Sequence, residues 1–207
     1  MLAQRPSKIV CVGRNYLEHA RELGNELPSE PLLFLKPPSS LIASGEAIVL
    51  PPQSERVEFE GEIGIVVGRR LRNVSEDDAV AGIQSIVALN DVTARDLQRR
   101  DNQWTRAKGF DTFCAVGTPR PAAVSLAALE VVTRVNGEER QRGRSADMAF
   151  TIPFLVSYIS RIMTLEPGDL IATGTPSGVG PLAPGDTVEV EVVGVSTVTN
   201  PVAAASA

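Results

Sequence analysis

The sequence is poor in cysteine, histidine and aromatic residues, and it contains no long apolar run. Two of its 207 residues are cysteines, one is histidine and 4% are aromatic. Cys11 and Cys114 lack CxxC spacing; a disulfide between them stays open, and two buried thiols are the expected state. No apolar run approaches the roughly 20 residues of a membrane helix, and the segment MLAQRPSKIVCVGRNY lacks the apolar core of a signal peptide. We therefore expect a soluble, cytoplasmic protein.

The charge balance argues against a nucleic-acid partner, just as the lack of a long apolar run argues against a membrane span. The net charge is -5 and the isoelectric point is near 5.0, whereas phosphate backbones are bound by clustered Lys and Arg. Two short basic groups, Arg69–Arg70 with Arg72 and the alternating Arg140, Arg142 and Arg144, have acidic residues in or near them. They are typical of solvated faces.

Short β-branched runs separated by Gly and Pro predict one α+β, mostly β, domain over residues 1–207, with a frayed tail from about residue 200. The predicted strands are 8–12, 32–35, 48–50, 63–67, 85–90, 130–135, 170–173 and 187–193. Asn136-Gly137 predicts a tight hairpin, and the two Pro-Gly-Asp sequences at 167–169 and 184–186 predict turns. The few predicted helices are 15–23, 75–81 and 152–161.

Two carboxylates stand at the start of a buried strand in VEFEGEIGIVVG (57–68). Glu60 and Glu62 lie two residues apart, so their side chains leave the same face of a strand. Since the strand is apolar on both faces from Ile63 onward, the pair would repel in a poorly solvated place unless a cation compensates. The alternative is an ordinary solvent-facing Glu-x-Glu.

A third carboxylate, Asp91, follows the apolar run 85–89, at a strand end where functional side chains often lie. Three carboxylates without a nearby His or Cys form a set of hard oxygen ligands, which suits Mg²⁺ or Mn²⁺ better than zinc. The alternative for Asp91 by itself is a turn cap.

The remaining candidates are a histidine, a lysine and a Gly-rich loop. His19 and Glu22, at i and i+3 of a predicted helix, suit a water-activating pair, or are surface decoration. Lys108 suits stabilisation of an oxyanion, or is merely exposed. The loop TGTPSGVG (173–180) offers backbone N–H groups to an anion but lacks the GK[ST] of a P-loop.

Together these segments resemble the fumarylacetoacetate hydrolase family, most closely its compact acylpyruvase and oxaloacetate decarboxylase branch. The motifs, in family order, are GRNYLEHARE (13–22), PLLFLKP (31–37), EGEIGIVVG (60–68), NDVTARDLQ (90–98), WTRAKGFDTFC (104–114) and TGTPSGVG (173–180). The resemblance implies a rolled, mixed β-sandwich with a few short helices, and a homodimer.

The resemblance also implies the roles of individual residues. Glu60, Glu62 and Asp91 match metal ligands for Mg²⁺, or Mn²⁺, with Ca²⁺ as an ion bound in vitro. His19 and Glu22 match a lid pair that positions water, and Lys108 matches a lysine beside the metal. The residues that match substrate-binding positions are Arg14, Gln98 and Thr175.

The implied activity is metal-dependent hydrolysis of a C–C bond in 2,4-dioxo acids (acylpyruvates such as acetylpyruvate or fumarylpyruvate) through a metal-chelated enolate, with oxaloacetate decarboxylation as a related reaction. The enzymatic alternative is an isomerase or decarboxylase of aromatic catabolism that acts on 2-hydroxyhepta-2,4-diene-1,7-dioate or 5-carboxymethyl-2-hydroxymuconate. The alternative of another class is a non-catalytic, metal-stabilised binding protein.

Overall fold

A computed structural model describes residues 4–16 and 28–205 of the protein. The strands in this part of the chain are β1 Ile9–Gly13, β2 Leu32–Lys36, β3 Leu41–Ala43, β4 Ile48–Leu50, β5 Val57–Phe59, β6 Gly61–Val67, β7 Ile83–Asp91, β8 Thr93–Ala94, β9 Cys114–Val116, β10 Arg120–Pro121, β11 Glu130–Val135, β12 Glu138–Arg144, β13 Leu170–Ala172, β14 Gly180–Pro181, β15 Thr187–Val192 and β16 Ser196–Ala204. The α-helices are α1 Glu76–Ala81, α2 Arg95–Arg100, α3 Thr105–Lys108 and α4 Ile152–Ile162.

The strands form two mixed sheets and one small antiparallel sheet, and the largest sheet carries the centre of the molecule. Its order is β2-β1-β13-β6-β7-β9-β3, with β10 paired to β7. A second sheet has the order β12-β11-β15-β16-β4, and a small third sheet the order β14-β5-β8. The fold is therefore the mostly β, α+β fold that the sequence pattern predicted, with the rolled sandwich that the family resemblance implied.

The main core fills the space between the two larger sheets. Ile63 and Ile65 of β6 meet Val131 of β11 and Val190 of β15 in one buried cluster, and helix α4 adds Val156. The opposite face of the large sheet holds a smaller apolar cluster that includes Cys11, Val66 and Leu89. Because both faces of β6 and β7 are covered, any charge on them is shielded from water.

Most predicted elements are present, with shifted ends. Val135 pairs with Glu138 across a two-residue turn, and positive φ angles of 53° at Asn136 and 81° at Gly137 confirm the tight hairpin. Ser75 caps α1 through the N–H of Asp78. Helices α2 and α3 were not predicted, since each is only one to two turns long and lacks an apolar period.

The described residues differ from the sequence prediction at the C-terminal tail and at the first predicted helix. The frayed tail from residue 200 is wrong for residues 200–204, because Val202–Ala204 of β16 pair with Ile48–Leu50 of β4, which supplies partners for their backbone groups. The predicted helix 15–23 lies mostly outside the described residues. Its described part is not helical: Tyr16 forms a β-bridge with Met148.

Cys11 and Cys114 are free and buried, as expected for two small core residues. Burial raises the pKa of Cys114 to about 12, so neither the exposure nor the charge state of this thiol suits nucleophilic chemistry. No helix in the described part of the chain is long and apolar enough to cross a membrane.

Candidate metal centre and active site

Glu60, Glu62 and Asp91 converge at one end of the β6–β7 pair. One carboxylate oxygen of each lies within 4.8 Å of the others, and all three residues are buried. Glu62 stands opposite Leu89 in the antiparallel register, and residues directly opposite share a face. Asp91, two residues beyond Leu89, is therefore on that same face, beside Glu60, whose carbonyl accepts the Asp91 N–H at 2.8 Å.

Gly61 permits the close packing behind the two glutamates. A Cβ atom at this position would lie 1.9 Å from Oγ1 of Thr133 on the neighbouring sheet. The Gly61 N–H donates to the side chain of Gln141 at 2.9 Å, and Asn90 Oδ1 accepts the N–H of Glu60 at 3.0 Å. The backbone between the two carboxylates is thus held from both sides.

Buried cations neutralise two of the three carboxylates. Lys108 Nζ donates to Glu60 Oε2 at 2.8 Å and to Asp91 Oδ2 at 2.6 Å. Lys36 Nζ donates to the other oxygen of Asp91, Oδ1, at 2.6 Å. Arg95 Nη2 donates to Glu60 Oε1 at 2.6 Å, while its Nε donates to Glu58 Oε2 at 2.7 Å.

No Lys or Arg side chain in the described part of the chain forms an ion pair with Glu62. It accepts the N–H of Gly174 at 2.7 Å. Burial, and then the charges of Asp91 and Glu60, raise the pKa of Glu62 well above its usual value, against the opposing effects of Lys108 and the Gly174 N–H. Burial by itself would lower the pKa of Lys108, but Asp91 and Glu60 raise it to about 12.

This arrangement fits a divalent cation with hard oxygen ligands. Three carboxylate oxygens are close enough to share one ion, and a divalent charge beside Glu62 would offset the repulsion that raises its pKa. The donor set has no sulfur or imidazole among the described residues, which favours Mg²⁺ or Mn²⁺ over zinc. Glu60, Glu62 and Asp91 are the residues that would hold it.

A cavity of about 420 Å³ opens onto the three carboxylates. Besides these acids and Lys108, Arg14, Gln98 and Thr175 line it. Arg14 adopts a left-handed φ of 59°, and its guanidinium stands 6.0 Å from the ring centroid of Trp104.

Gln98 and Thr175 are already engaged with the protein. Gln98 Oε1 accepts from Arg95 Nη1 at 2.5 Å. The Thr175 hydroxyl donates to the Gly61 carbonyl at 2.9 Å and accepts from Gln141 Nε2 at 2.8 Å. The loop 173–180 therefore holds the backbone of the candidate metal site through Thr175, and the Gly174 N–H donates to the carboxylate of Glu62.

The structure brings most of the sequence-derived site residues into one cavity. The solvent-facing alternatives for Glu60, Glu62 and Lys108 are wrong, because all three side chains are at least 94% buried. The turn-cap alternative for Asp91 is wrong as well, since its carboxylate pairs with two lysines. His19 and Glu22 lie outside the described residues, so their role as a water-positioning pair stays a prediction.

Sequence reasoning did not assign roles to Lys36, Glu58, Arg95 and Arg99. Glu58 continues the alternation of Glu60 and Glu62 on one strand face, and this pattern was a usable signal. Lys36 ends a strand that is otherwise apolar, LLFLK, which is an unusual place for a charge unless it is paired. Arg95 and Arg99 occupy the helix α2, which the sequence pattern did not predict.

Known proteins resemble this chain over nearly its whole length. The mitochondrial oxaloacetate decarboxylase of Dictyostelium discoideum is 44% identical over 197 residues, which cover 92% of this chain and 90% of that protein. The solved structure of 5-carboxymethyl-2-hydroxymuconate delta-isomerase from Mycobacterium smegmatis is 44% identical with a TM-score of 0.91, covering 98% of this chain and 81% of that one.

A third similar protein has been solved with ligands. Fumarylpyruvate hydrolase from Pseudomonas aeruginosa, in complex with Mn²⁺ and pyruvate, is 30% identical with a TM-score of 0.92 over 97% of this chain and 91% of that one. The family described as "Fumarylacetoacetate (FAA) hydrolase C-terminal" matches residues 8–203. The chain therefore belongs to the fumarylacetoacetate hydrolase family.

Proposed function

We propose that the protein is a divalent-metal-dependent hydrolase that cleaves a C–C bond in 2,4-dioxo acids such as acetylpyruvate or fumarylpyruvate. The observation that carries the proposal is the buried triad Glu60, Glu62 and Asp91 beside the buried ammonium of Lys108. Mg²⁺ or Mn²⁺ bound there would act as a Lewis acid toward the 2-oxo carboxylate end of the substrate.

The protein groups around the triad suit the stabilisation of developing negative charge. Cleavage of a 2,4-dioxo acid leaves the pyruvate fragment as an enolate, so negative charge grows on the 2-oxo oxygen. Lys108 uses two of its three N–H donors on Glu60 and Asp91, which leaves one for that oxygen. A fixed ammonium in a dry site stabilises such charge without having to reorganise solvent.

Hydrolysis also requires an activated water. His19, oriented by Glu22, is proposed to accept a proton from the water that attacks the distal carbonyl, and general-base help of this kind contributes about 10²–10⁴-fold. Arg14 is proposed to hold the carboxylate of the substrate, supported by its place on the cavity wall.

Decarboxylation of oxaloacetate is the second candidate, favoured by the 44% identical oxaloacetate decarboxylase. Loss of CO₂ generates the same pyruvate enolate and needs no attacking water, so it requires Lys108 and the triad but not His19. Isomerisation of a hydroxymuconate-type dienedioate is a further alternative, favoured by the likeness to the delta-isomerase. A non-catalytic, metal-stabilised protein would bind the ion without any turnover.

The test compares turnover of acetylpyruvate and oxaloacetate by EDTA-treated protein, with and without added Mg²⁺ or Mn²⁺, for the wild type, His19→Ala and Lys108→Met. Metal-restored acetylpyruvate cleavage that His19→Ala abolishes, with oxaloacetate decarboxylation spared, supports the proposal. If the protein decarboxylates oxaloacetate but does not cleave acetylpyruvate, oxaloacetate decarboxylase becomes the proposed function. Metal binding without turnover of either compound leaves the isomerase or the non-catalytic protein.

We also propose that the protein works in the cytoplasm as a homodimer. Support for the dimer comes from the family resemblance. Sedimentation equilibrium at micromolar concentration tests the dimer, and a mass near 22.0 kDa would contradict it.

A further inference from the structure

The cations around the cavity divide into two groups. Lys36, Lys108 and Arg95 each lie within 2.8 Å of a buried carboxylate. Nearby arginines outside the cavity are paired in the same way, Arg106 with Asp101 and Arg56 with Glu58. The charge of each of these side chains is therefore balanced by an acidic residue of the protein.

Arg14 and Arg99 form the second group. Both line the cavity, and neither makes an ion pair with any acidic side chain in residues 4–16 and 28–205. Two unpaired guanidinium groups that face one cavity create a positive field for an anionic ligand. The proposed function uses one of them, Arg14, for the carboxylate of the 2-oxo acid, and leaves Arg99 without a role.

The position of Arg99 follows from its spacing to Arg95 on α2. Residues four apart lie on the same helix face, one above the other, and are about 6 Å apart along the axis. Arg95 is buried against Glu60 at the floor of the cavity, whereas Arg99 is exposed. Arg99 therefore stands about one helical turn beyond Arg95, on the exposed side of the cavity wall.

We infer that Arg99 is a specificity-determining residue that binds a second carboxylate at the far end of the substrate. The inference rests on the proposed function and narrows it: among 2-oxo acids, the site selects dianions over monoanions of the same length. Arg suits this task because its planar guanidinium binds a carboxylate through two parallel hydrogen bonds. Trp104, beside Arg14 in the cavity wall, supplies an apolar side for the chain that joins the two ends.

The first test measures binding and does not depend on turnover. Isothermal titration in the presence of Mg²⁺ compares 2-oxoglutarate with 2-oxopentanoate, which have equal chain length and differ in whether the far end is a carboxylate or a methyl group. We expect the wild type to bind 2-oxoglutarate about tenfold more tightly, the scale of one partly exposed charge-assisted contact. Arg99→Gln should remove this preference and leave 2-oxopentanoate binding within about twofold.

The neighbouring residue provides a matched control. Arg100 is exposed on the same helix but does not line the cavity, so Arg100→Gln makes the same charge change and should keep the preference. Arg99→Lys should keep part of it, since the charge remains while the two-pronged geometry is lost. Equal loss in Arg99→Gln and Arg100→Gln would show a general effect of surface charge and would overturn the inference.

The second test separates this inference from the proposed function. Values of kcat/KM are measured for fumarylpyruvate, which has a distal carboxylate, and for acetylpyruvate, which has none. Both substrates are tested with the wild type and with Arg99→Gln. A fall of about tenfold for fumarylpyruvate alone supports Arg99. An unchanged ratio of the two values overturns the inference while hydrolysis stands. If neither compound is turned over, the proposed hydrolysis fails, and the 2-oxoglutarate preference decides on Arg99 by itself.

Discussion

Glu62 differs from Glu60 and Asp91 in its surroundings. Glu60 and Asp91 each accept hydrogen bonds from two buried cationic side chains, whereas the described contact of Glu62 is the N–H of Gly174. Because a buried carboxylate without a close cation is costly, the pKa of Glu62 is raised by burial and by its two acidic neighbours. Of the three carboxylates, Glu62 is thus the one whose charge would depend most on a metal ion bound there.

Glu62→Gln should separate metal affinity from stability. The amide oxygen can still accept the Gly174 N–H, and the substitution removes a repulsive charge, so the metal-free protein should be as stable as the wild type or about 1 kcal/mol more stable. The affinity for Mg²⁺ should fall at least tenfold, because one of three carboxylate ligands is lost. Urea unfolding in EDTA and isothermal titration with Mg²⁺ measure the two effects.

The control for this variant is Glu76→Gln, an exposed carboxylate in the first turn of α1. It should change neither the metal affinity nor the metal-free stability by more than about 0.5 kcal/mol. Wild-type Mg²⁺ affinity in Glu62→Gln would contradict the assignment of Glu62 as a ligand.

Asp169 is a buried carboxylate outside the candidate site, and unlike Glu62 it accepts several hydrogen bonds. Its oxygens accept from the Ser7 and Lys8 N–H groups, the Lys8 ammonium and the Glu166 N–H, with distances of 2.5–3.1 Å. Burial by itself would raise the pKa of Asp169, but the bonds from Glu166, Lys8 and Ser7 outweigh it and lower the pKa below the usual 3.8.

A lowered pKa makes the contribution of Asp169 dependent on pH. A carboxyl whose pKa is depressed by folding stabilises the protein fully above its unfolded pKa, and this contribution is lost as the pH falls through the folded pKa. Asp169→Asn should therefore cost about 2 kcal/mol at pH 7 and progressively less below pH 3.8. Urea unfolding of both proteins at a series of pH values measures the difference. A cost that is independent of pH would contradict an ionised Asp169.

The register between β6 and β7 brings the three carboxylates of the candidate site together. The pairing of Glu62 with Leu89 places Asp91 beside both glutamates, and a slip by one residue would turn Asp91 to the opposite, core-facing side of the sheet. On the opposite face of the sheet, Gly61 has no side chain and leaves room for Thr133 and Val190 of the second sheet. The second sheet can therefore pack closely without displacing the backbone of β6.

Gly61→Ala should damage stability and metal binding together. Its Cβ would approach Thr133 Oγ1 to 1.9 Å and Val190 Cγ1 to 3.2 Å, and overpacking of this kind costs about 1–3 kcal/mol. The displaced backbone carries Glu60 and Glu62, so the affinity for Mg²⁺ should fall as well. Chemical unfolding and isothermal titration check both effects.

Gly180→Ala is the matched control, since its Cβ would meet Phe59 only at an ordinary 3.4 Å. We expect a change of less than about 0.5 kcal/mol. The double variant Gly61→Ala with Thr133→Ala removes the clashing hydroxyl and should recover part of the loss. If Gly61→Ala matches Gly180→Ala in both measurements, close packing at this position does not support the site.

The candidate site is assembled from segments that are far apart in the chain. Polar groups of β6, β7, α2, α3 and the loop before β14 line one cavity, and Lys36 of β2 pairs with Asp91. A ligand that binds only when these segments are assembled must stabilise the folded state by mass action.

Divalent ions should therefore raise the stability of the whole protein. At a free concentration of 100 times Kd, one bound ion adds about 2.7 kcal/mol to the free energy of unfolding. Thermal unfolding in EDTA, Mg²⁺, Mn²⁺ and Ca²⁺ measures this increase, and Glu62→Gln should lose most of it. An equal increase in the variant would place the bound ion elsewhere.

The candidate site was predictable where its residues follow one strand. Glu60 and Glu62 share a face because side chains alternate along any strand, and the apolar run behind them indicated burial. Lys36 and Arg95 were not assigned, because a lysine or an arginine in sequence is expected at the surface. Only the packing of their strands and helices against the carboxylates changes that expectation.

The sequence by itself determined the strands, the Asn136-Gly137 hairpin, the hard character of the ligand set and the resemblance to one family. These depend on local periodicity, on turn chemistry and on motif order, which are written along the chain. Tertiary structure decided which cations neutralise which acids, and that Arg14 and Arg99 line the cavity without an ion pair to another described residue. The pairings at the site depend on strand register and sheet packing between residues up to 55 positions apart, and no local pattern encodes those distances.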